Sequence, residues 1–196
     1  FTMQQIQGDD LYIKIQGVHA ASTLDRWRPA KDGTSFRELI RIHQQVCETV
    51  AYAHSQGVIH RDLKPDNIMI GSFSEVLVVD WGLAKVLGRD DEVLDDGFEA
   101  SVETDRSSSN AMQTRVGTVA GTPCYMAPEQ AFGRTADVGK ATDVYTLGAI
   151  LYEILSGIPP YGGGSAEEVL EQVKTTEPPR LRDTADRTTH PSDSIE

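Results

Sequence analysis

The sequence has little cysteine and no long apolar run. Its 196 residues include two cysteines, Cys47 and Cys124, which do not form a C-x-x-C pair. We therefore expect neither a disulfide framework nor a zinc site, and the composition fits a reducing, cytoplasmic compartment. The longest apolar helical pattern, at residues 144–155, is interrupted by polar side chains. It stays below the ~18 residues that would indicate a membrane span.

Basic residues are scarce relative to acidic ones. The chain has 18 lysines and arginines against 30 aspartates and glutamates, a formal net charge of −12. Binding to nucleic acid or to an anionic membrane needs a basic surface, so we expect neither partner. A basic peptide is compatible with this charge, although net charge alone does not establish such a partner.

Glycine-rich phosphate-binding motifs are missing. Neither G-x-G-x-x-G nor G-x-x-x-x-G-K-[ST] occurs, so nothing in the sequence supports a P-loop NTPase. The sequence shows no signal-peptide pattern, and we expect none. It begins with Phe1 rather than Met, directly in a strand-like pattern, and we therefore expect a fragment of a longer protein.

Helix signals appear in three stretches. A capping box at residues 35–38 precedes apolar residues at helical spacing, and Gly57 is suited to end that helix. Residues 143–156 have the pattern of a buried helix. A second capping box at residues 165–168 opens a shorter helix through Val173.

The remaining segments are short strands and polar stretches. Residues 89–110 are acidic and then serine-rich, which predicts a mobile insert, and little order is expected from residue 175 onward. The strands, of which the last two are expected to pair, lie at residues 1–8, 58–59, 68–70 and 75–79. Together these elements predict a mainly α (α+β) fold.

One segment of eight consecutive residues carries recognisable chemistry, His60-Arg61-Asp62-Leu63-Lys64-Pro65-Asp66-Asn67. It resembles the catalytic loop of protein kinases, H-R-D followed by four residues and Asn. In such a loop Asp62 would accept the proton of the attacking hydroxyl and Lys64 would steady the transferring phosphoryl group. Asn67 would ligate Mg²⁺ through its amide oxygen. By the same resemblance, Lys64-Pro65-Asp66 indicates serine/threonine rather than tyrosine substrates.

Two further segments extend the resemblance to kinases. Asp80-Trp81-Gly82 occupies the place of the family's D-F-G, so Asp80 would hold Mg²⁺ that bridges the ATP phosphates. Trp81 would fill the apolar slot of the usual Phe, and Gly82 would allow the backbone to turn.

The second segment, residues 121–129, ends in A-P-E and looks most like bacterial serine/threonine kinases. There Thr122 would bond Asp62 and Lys64, and the following residues would support the substrate peptide. Asp143 matches the acid that braces the catalytic-loop backbone in the family. Glu129, the last residue of A-P-E, is expected to lack the arginine partner that further helices usually supply.

The resemblance also suggests regulatory and nucleotide-binding residues. Arg61 before the catalytic Asp is typical of kinases switched by phosphorylation, and Thr114 and Thr118 are the candidate phosphorylated residues. For either threonine, a solvated loop residue is an equal alternative.

At the other end of the chain, the main-chain groups of Gln4 and Ile6 would meet the adenine edge. Met69 would lie beneath the adenine. Ordinary strand packing explains a methionine at this position nearly as well.

The resemblance spans roughly residues 1–173 and implies the C-terminal lobe of the protein-kinase fold, with the N-terminal lobe absent. Tyr12-Ile13-Lys14 looks superficially like the lysine-bearing V-A-I-K strand, but only 45 residues separate Lys14 from His60, and no glycine-rich loop precedes it. The expected organisation is a hinge strand at 1–8, a C-lobe at 9–174 with an activation segment at 80–129, and a disordered tail at 175–196.

Three functional hypotheses follow. The first is an ATP- and Mg²⁺-dependent kinase of protein substrates, inactive until the missing lobe is present. The second is a non-catalytic kinase-like binding module, and the third is a small-molecule phosphotransferase of kinase-like fold. Lys64 and the segment at 121–129 favour protein substrates over the third hypothesis.

Overall fold

The computed structural model describes residues 8–23, 26–87 and 123–184. Several predicted features therefore lie outside the described residues. They are the hinge positions Gln4 and Ile6, the insert at 89–110, and Thr114, Thr118 and Thr122.

The described chain is mainly helical, with two small sheets. The five helices are α1 (Leu11–Ala21), α2 (Phe36–Ser55), α3 (Pro128–Ala131), α4 (Lys140–Ser156) and α5 (Ala166–Thr175). The five strands are β1 (Gly8–Asp10), β2 (Val58–Ile59), β3 (Ile68–Gly71), β4 (Val76–Val78) and β5 (Lys85–Val86). Single 3₁₀ turns occur at Pro65–Asn67, Trp81–Leu83, Pro123–Tyr125 and Leu181–Asp183. No helix of this part of the chain is long and apolar enough to cross a membrane.

The sheets are antiparallel. β1, β3 and β4 form a three-stranded sheet with β3 in the middle, and β2 pairs with β5. The predicted pairing of residues 68–70 with 75–79 is confirmed, with Met69 opposite Leu77. The loop at residues 60–67 therefore leaves the small sheet at β2 and enters the larger sheet at β3.

Helix α2 packs against α4 and forms the centre of the core. Ser35 caps α2 by accepting a hydrogen bond from the backbone N–H of Glu38 at 3.3 Å, as the capping box predicts. The buried side chains Leu39, Ile42, Val46 and Val50 then recur along the inner face of α2. On the facing side of the core, α4 contributes Leu147, Ile150 and Ile154.

Helix α1 was not predicted from the sequence. Asp10 caps it, accepting a hydrogen bond from the backbone N–H of Ile13 at 2.8 Å, and Leu11, Ile15 and Val18 are buried at a spacing of four and three residues. Tyr12-Ile13-Lys14 thus lies in a helix, which agrees with rejecting it as a lysine-bearing strand. Beyond α1, Trp27 stacks on Phe36 with ring centroids 4.1 Å apart and is itself 45% exposed.

Helix α4 begins earlier than predicted. The apolar pattern placed its start at Asp143, but the helix starts at Lys140 because Thr142 accepts a hydrogen bond from the backbone N–H of Gly139 at 3.0 Å. Asp143 therefore lies within the first turn. Gly157, with φ of +82°, ends the helix in the left-handed conformation that glycine adopts without strain.

The C-terminal part is more ordered than expected. Helix α5 runs two residues past the predicted Val173, to Thr175. The two added residues, Lys174 and Thr175, are polar and gave no apolar signal. The following stretch makes a turn at Leu181–Asp183, and Thr184 is 3% exposed and closes that turn with a bond to the Leu181 carbonyl. Disorder from residue 175 is therefore wrong for residues 175–184, and residues 185–196 lie outside the described chain.

Candidate active site

The loop at residues 60–67 brings the predicted catalytic side chains together. Asp62 is 8% exposed, and its Oδ2 accepts a hydrogen bond from Lys64 Nζ at 3.2 Å. Asn67 Nδ2 donates to the Asp62 backbone carbonyl at 2.8 Å and lies 3.4 Å from Asp62 Oδ2. A carboxylate, an ammonium and an amide thus converge around one residue.

Helix α4 supports this loop from the core side through Asp143. Its carboxylate is 1% exposed and accepts hydrogen bonds from the backbone N–H groups of His60 at 2.8 Å and Arg61 at 2.9 Å. A third bond comes from His54 Nε2, 2.7 Å from Asp143 Oδ2. His54 was missed from the sequence, since nothing local to the last turn of α2 signals a partner 89 residues away.

His60 connects the loop to the end of β4. Its ring is fully buried, Nδ1 accepts from the Asp62 N–H at 3.3 Å, and Nε2 lies 3.1 Å from the Val79 carbonyl. These partners assign the hydrogen to Nε2 of a neutral ring. Trp81 packs against His60 with centroids 4.5 Å apart, and its Nε1 donates to the Val78 carbonyl at 2.9 Å.

Asp80 lies at the solvent side of the same region. Val79 N–H donates to the Asn67 carbonyl at 2.9 Å, which places Asp80, the next residue, beside the end of the loop at residues 60–67. Asp80 is exposed and has φ of +62°. The left-handed conformation belongs to Asp80, and Gly82 lies in the 3₁₀ turn that follows it, Trp81–Leu83. A Cβ on Gly82 would lie 3.4 Å from Asp80 Oδ1, an ordinary contact.

The segment at residues 123–131 lies against both the loop and α4. Tyr125 donates through its hydroxyl to Glu153 Oε2 at 2.5 Å, and its carbonyl accepts from Thr146 at 3.1 Å. Glu129 Oε1 accepts from the Thr142 hydroxyl at 2.6 Å. Glu129, which was expected to lack an arginine partner, is thus bonded to the hydroxyl of Thr142 on the first turn of α4.

Comparison with known proteins agrees with this geometry. The protein kinase domain family matches residues 4–195. The chain belongs to the protein kinase family. The predicted resemblance to bacterial serine/threonine kinases is confirmed by its relatives.

Two of these relatives are serine/threonine-protein kinases named PknD. The one from Protochlamydia amoebophila strain UWE25 is 39% identical over 183 residues, which are 90% of this chain and 17% of that protein. The one from Chlamydia pneumoniae is 40% identical over 161 residues, 82% of this chain and 16% of that protein. This kinase chain thus spans less than a fifth of the length of these relatives.

A buried acid lies beneath the segment at residues 123–131 of the kinase chain. The pKa of Glu153 is raised to about 7, mainly by burial; the hydrogen bond from Tyr125 lowers it, and the charge of Asp66 makes a smaller contribution that raises it. Burial and the Glu153 charge raise the pKa of Tyr125 well above its usual range. Among the described residues Glu153 Oε1 has no hydrogen-bond partner. The protonated form of Glu153 is therefore substantially populated at neutral pH.

The face of the sheet away from the kinase core carries Met69. Its neighbours Ile68 and Ile70 are 0% and 8% exposed and point into the core. Since side chains alternate along a strand, Met69 points to the opposite face together with its partner Leu77, which is 40% exposed. An apolar patch next to Asp80 and Asn67 is thus open on one side.

No stand-alone metal site is evident in the kinase chain. In the part that the structure describes, no three His, Cys, Asp or Glu side chains converge as metal ligands. Mg²⁺ is usually held by one or two protein oxygens together with substrate phosphates. Asn67 and Asp80 therefore fit a metal shared with a nucleotide rather than one bound by the protein alone.

Proposed function

We propose that this chain supplies the catalytic residues of an ATP-dependent kinase that phosphorylates serine or threonine hydroxyls of proteins. The observation that carries the proposal is the convergence of Asp62, Lys64 and Asn67 in a loop held by the buried Asp143. Phosphoryl transfer is catalysed mainly by positioning and by charge stabilisation, and a braced loop of this kind serves both.

Asp62 accepts the proton of the attacking hydroxyl. It is held for this task because its side chain and its backbone carbonyl are both bonded within the loop. Lys64, 3.2 Å from Asp62, neutralises charge on the transferring phosphoryl group. Thr122, which lies outside the described residues, is proposed to bond both.

Asn67 and Asp80 would hold Mg²⁺ together with the nucleotide phosphates. When bound, the ion would supply charge neutralisation at the phosphate oxygens. Met69 provides an apolar surface for the adenine ring, and the main-chain groups of Gln4 and Ile6, outside the described residues, meet its polar edge. Regulation by phosphate on Thr114 or Thr118, paired with Arg61, belongs to the same proposal, as does a cytoplasmic location.

The proposal is tested with Asp62→Asn in the longer polypeptide that joins this chain to an N-terminal lobe. General-base assistance is worth ~10²–10⁴ in rate, so we expect turnover of a protein substrate to fall by that factor with unchanged thermal stability. Asp137→Asn, at an exposed position, is the matched control and should retain full turnover. Undiminished activity of Asp62→Asn would refute the assignment.

By itself, the 196-residue chain should show no measurable transfer. Met69, Asn67 and Asp80 form one wall of a nucleotide site, and an open wall leaves the phosphates in water, where charge interactions are weak. Incubation with Mg²⁺-ATP and a basic protein substrate, followed by mass spectrometry, is the measurement. Phosphorylation that Asp80→Asn abolishes would show that the chain is sufficient.

The second candidate function is a non-catalytic kinase-like binding module. The apolar face formed by the half-buried Met69 and the exposed Leu77 is the observation that favours it, because such a face can dock a partner. The two candidates differ in the Asp62→Asn experiment, since only the kinase needs that carboxylate.

A further inference from the structure

Arg61 is held in a conformation that few residues adopt. Its φ is +68°, a left-handed conformation that is disfavoured for a residue other than glycine and persists only where the surroundings enforce it. Three separate segments do so. Its N–H donates to Asp143 Oδ1 at 2.9 Å, its Nε donates to the Leu83 carbonyl at 2.5 Å, and its carbonyl accepts from Gln130 Nε2 at 2.8 Å.

The Gln130 side chain uses both ends of its amide. While Nε2 donates to the Arg61 carbonyl, Oε1 accepts from the backbone N–H of Ala127 at 3.2 Å. If the amide were flipped, Oε1 would face the Arg61 carbonyl oxygen and Nε2 would face the Ala127 N–H. Only the observed orientation therefore pairs a donor with an acceptor at both contacts. Gln130 therefore links the segment at residues 123–131 to the loop at residues 60–67 in a defined geometry.

The bond from Gln130 reaches the peptide unit that leads directly into Asp62. This peptide unit consists of the Arg61 carbonyl and the Asp62 N–H. The carbonyl accepts from Gln130, and the N–H donates to His60 Nδ1 at 3.3 Å. Because a peptide unit is planar, fixing both polar atoms fixes its plane and hence the position of the Asp62 Cα, from which the side chain projects.

We infer that Gln130 is a positioning residue for Asp62, which couples the substrate-side segment at residues 123–131 to the proton acceptor. The inference rests on the proposed function of Asp62. Gln130 acts through the Arg61–Asp62 peptide unit and contacts none of the reacting groups.

The test uses an isosteric substitution, Gln130→Glu. It keeps an acceptor for Ala127 but places a carboxylate oxygen against the Arg61 carbonyl, so the peptide unit loses its donor. Gln130→Met removes the donor without adding charge. It replaces Gln130→Glu in the same measurements if Gln130→Glu does not fold.

Gln172 provides a matched control. On α5 it makes the same type of double contact, accepting from the Gly162 N–H at 3.4 Å and donating to the Gly162 carbonyl at 3.3 Å. Gln172→Glu therefore makes the same chemical change away from the loop.

Hydrogen exchange of the Asp62 amide in the 196-residue chain is the first readout. We expect it to be about tenfold faster in Gln130→Glu, the effect of losing one hydrogen bond, and unchanged in Gln172→Glu. Unchanged exchange in both Gln130 variants, or an equal acceleration in Gln172→Glu, would overturn the inference.

Kinetics in the longer polypeptide give the second readout. Gln130→Glu should lower kcat about tenfold while the KM for ATP stays unchanged, which a loss of packing alone would not produce. Unaltered kcat would overturn the inference. Undiminished turnover of Asp62→Asn would instead refute the proposed function, and the exchange measurement would still decide whether Gln130 holds the peptide unit.

Discussion

The core side and the solvent side of the candidate site are built differently. On the core side, Asp143 is 1% exposed and its carboxylate accepts from two backbone N–H groups and one histidine. On the solvent side, Asp80 is exposed and Met69 faces away from the core. Two aspartates of one site therefore carry different tasks, since one maintains the loop and the other is available to a ligand.

The largest expected effect follows from removing the carboxylate on the core side. Asp143→Ala leaves the N–H groups of His60 and Arg61 and the ring of His54 without an acceptor. Breaking a buried, charged hydrogen-bond network typically costs about 3–5 kcal/mol, so we expect a loss of unfolding free energy of that size in urea denaturation. An effect as small as that of Asp137→Ala, at an exposed position, would contradict the contrast between the two sides.

The buried Glu153 predicts a smaller, pH-dependent effect. Its pKa is raised from the usual value of 4.5 to about 7, so between these two pH values the folded state binds more protons than the unfolded state. The contribution of Glu153 to the free energy of unfolding is therefore fully present below about pH 4.5. It is lost as the pH rises through 7, and the loss amounts to at most about 3 kcal/mol.

Glu153→Gln should remove this dependence. Urea denaturation at pH 5 and pH 8 measures the difference for both proteins. The exposed Glu167→Gln is the control and should keep the pH dependence of the unchanged chain. A pH dependence that persists in Glu153→Gln would show that another group is responsible.

The smallest effect on stability is expected on the solvent side. Asp80→Asn keeps a residue type that tolerates positive φ, so the unfolding free energy should change by less than about 0.5 kcal/mol. In the longer polypeptide the same variant should abolish Mg²⁺-dependent transfer. A stability loss comparable to that of Asp143→Ala would mean that Asp80 also maintains the fold.

Local sequence signals predicted the elements whose causes are local. The capping boxes at Ser35 and Ser165 gave correct helix starts, and the consecutive residues of the loop at residues 60–67 were recognisable together. Helix α1 was missed because its signal is brief: one capping aspartate and three buried apolar residues, with Gly17 in the same helix.

Contacts between distant parts of the chain were harder to predict. His54 and Gln130 act on the loop at residues 60–67 from α2 and α3, and no spacing in the sequence links them to Asp143 or Arg61. The positive φ of Asp80 was likewise not predicted, because residue type alone pointed only to Gly82 for a backbone turn. Tertiary bonds from neighbouring segments determine these details, and they become visible only when the chain is folded.

The two tryptophans of the chain differ in their surroundings as the two sides of the site do. Trp81 packs on His60 and is bonded to the Val78 carbonyl, whereas Trp27 is 45% exposed and stacks on Phe36 near the start of α2. Because the chain has only these two tryptophans, its ultraviolet emission has one source at the catalytic loop and one source away from it. Replacing Trp27 by phenylalanine leaves an intrinsic fluorophore whose spectrum reports the arrangement around Asp80 without any added label.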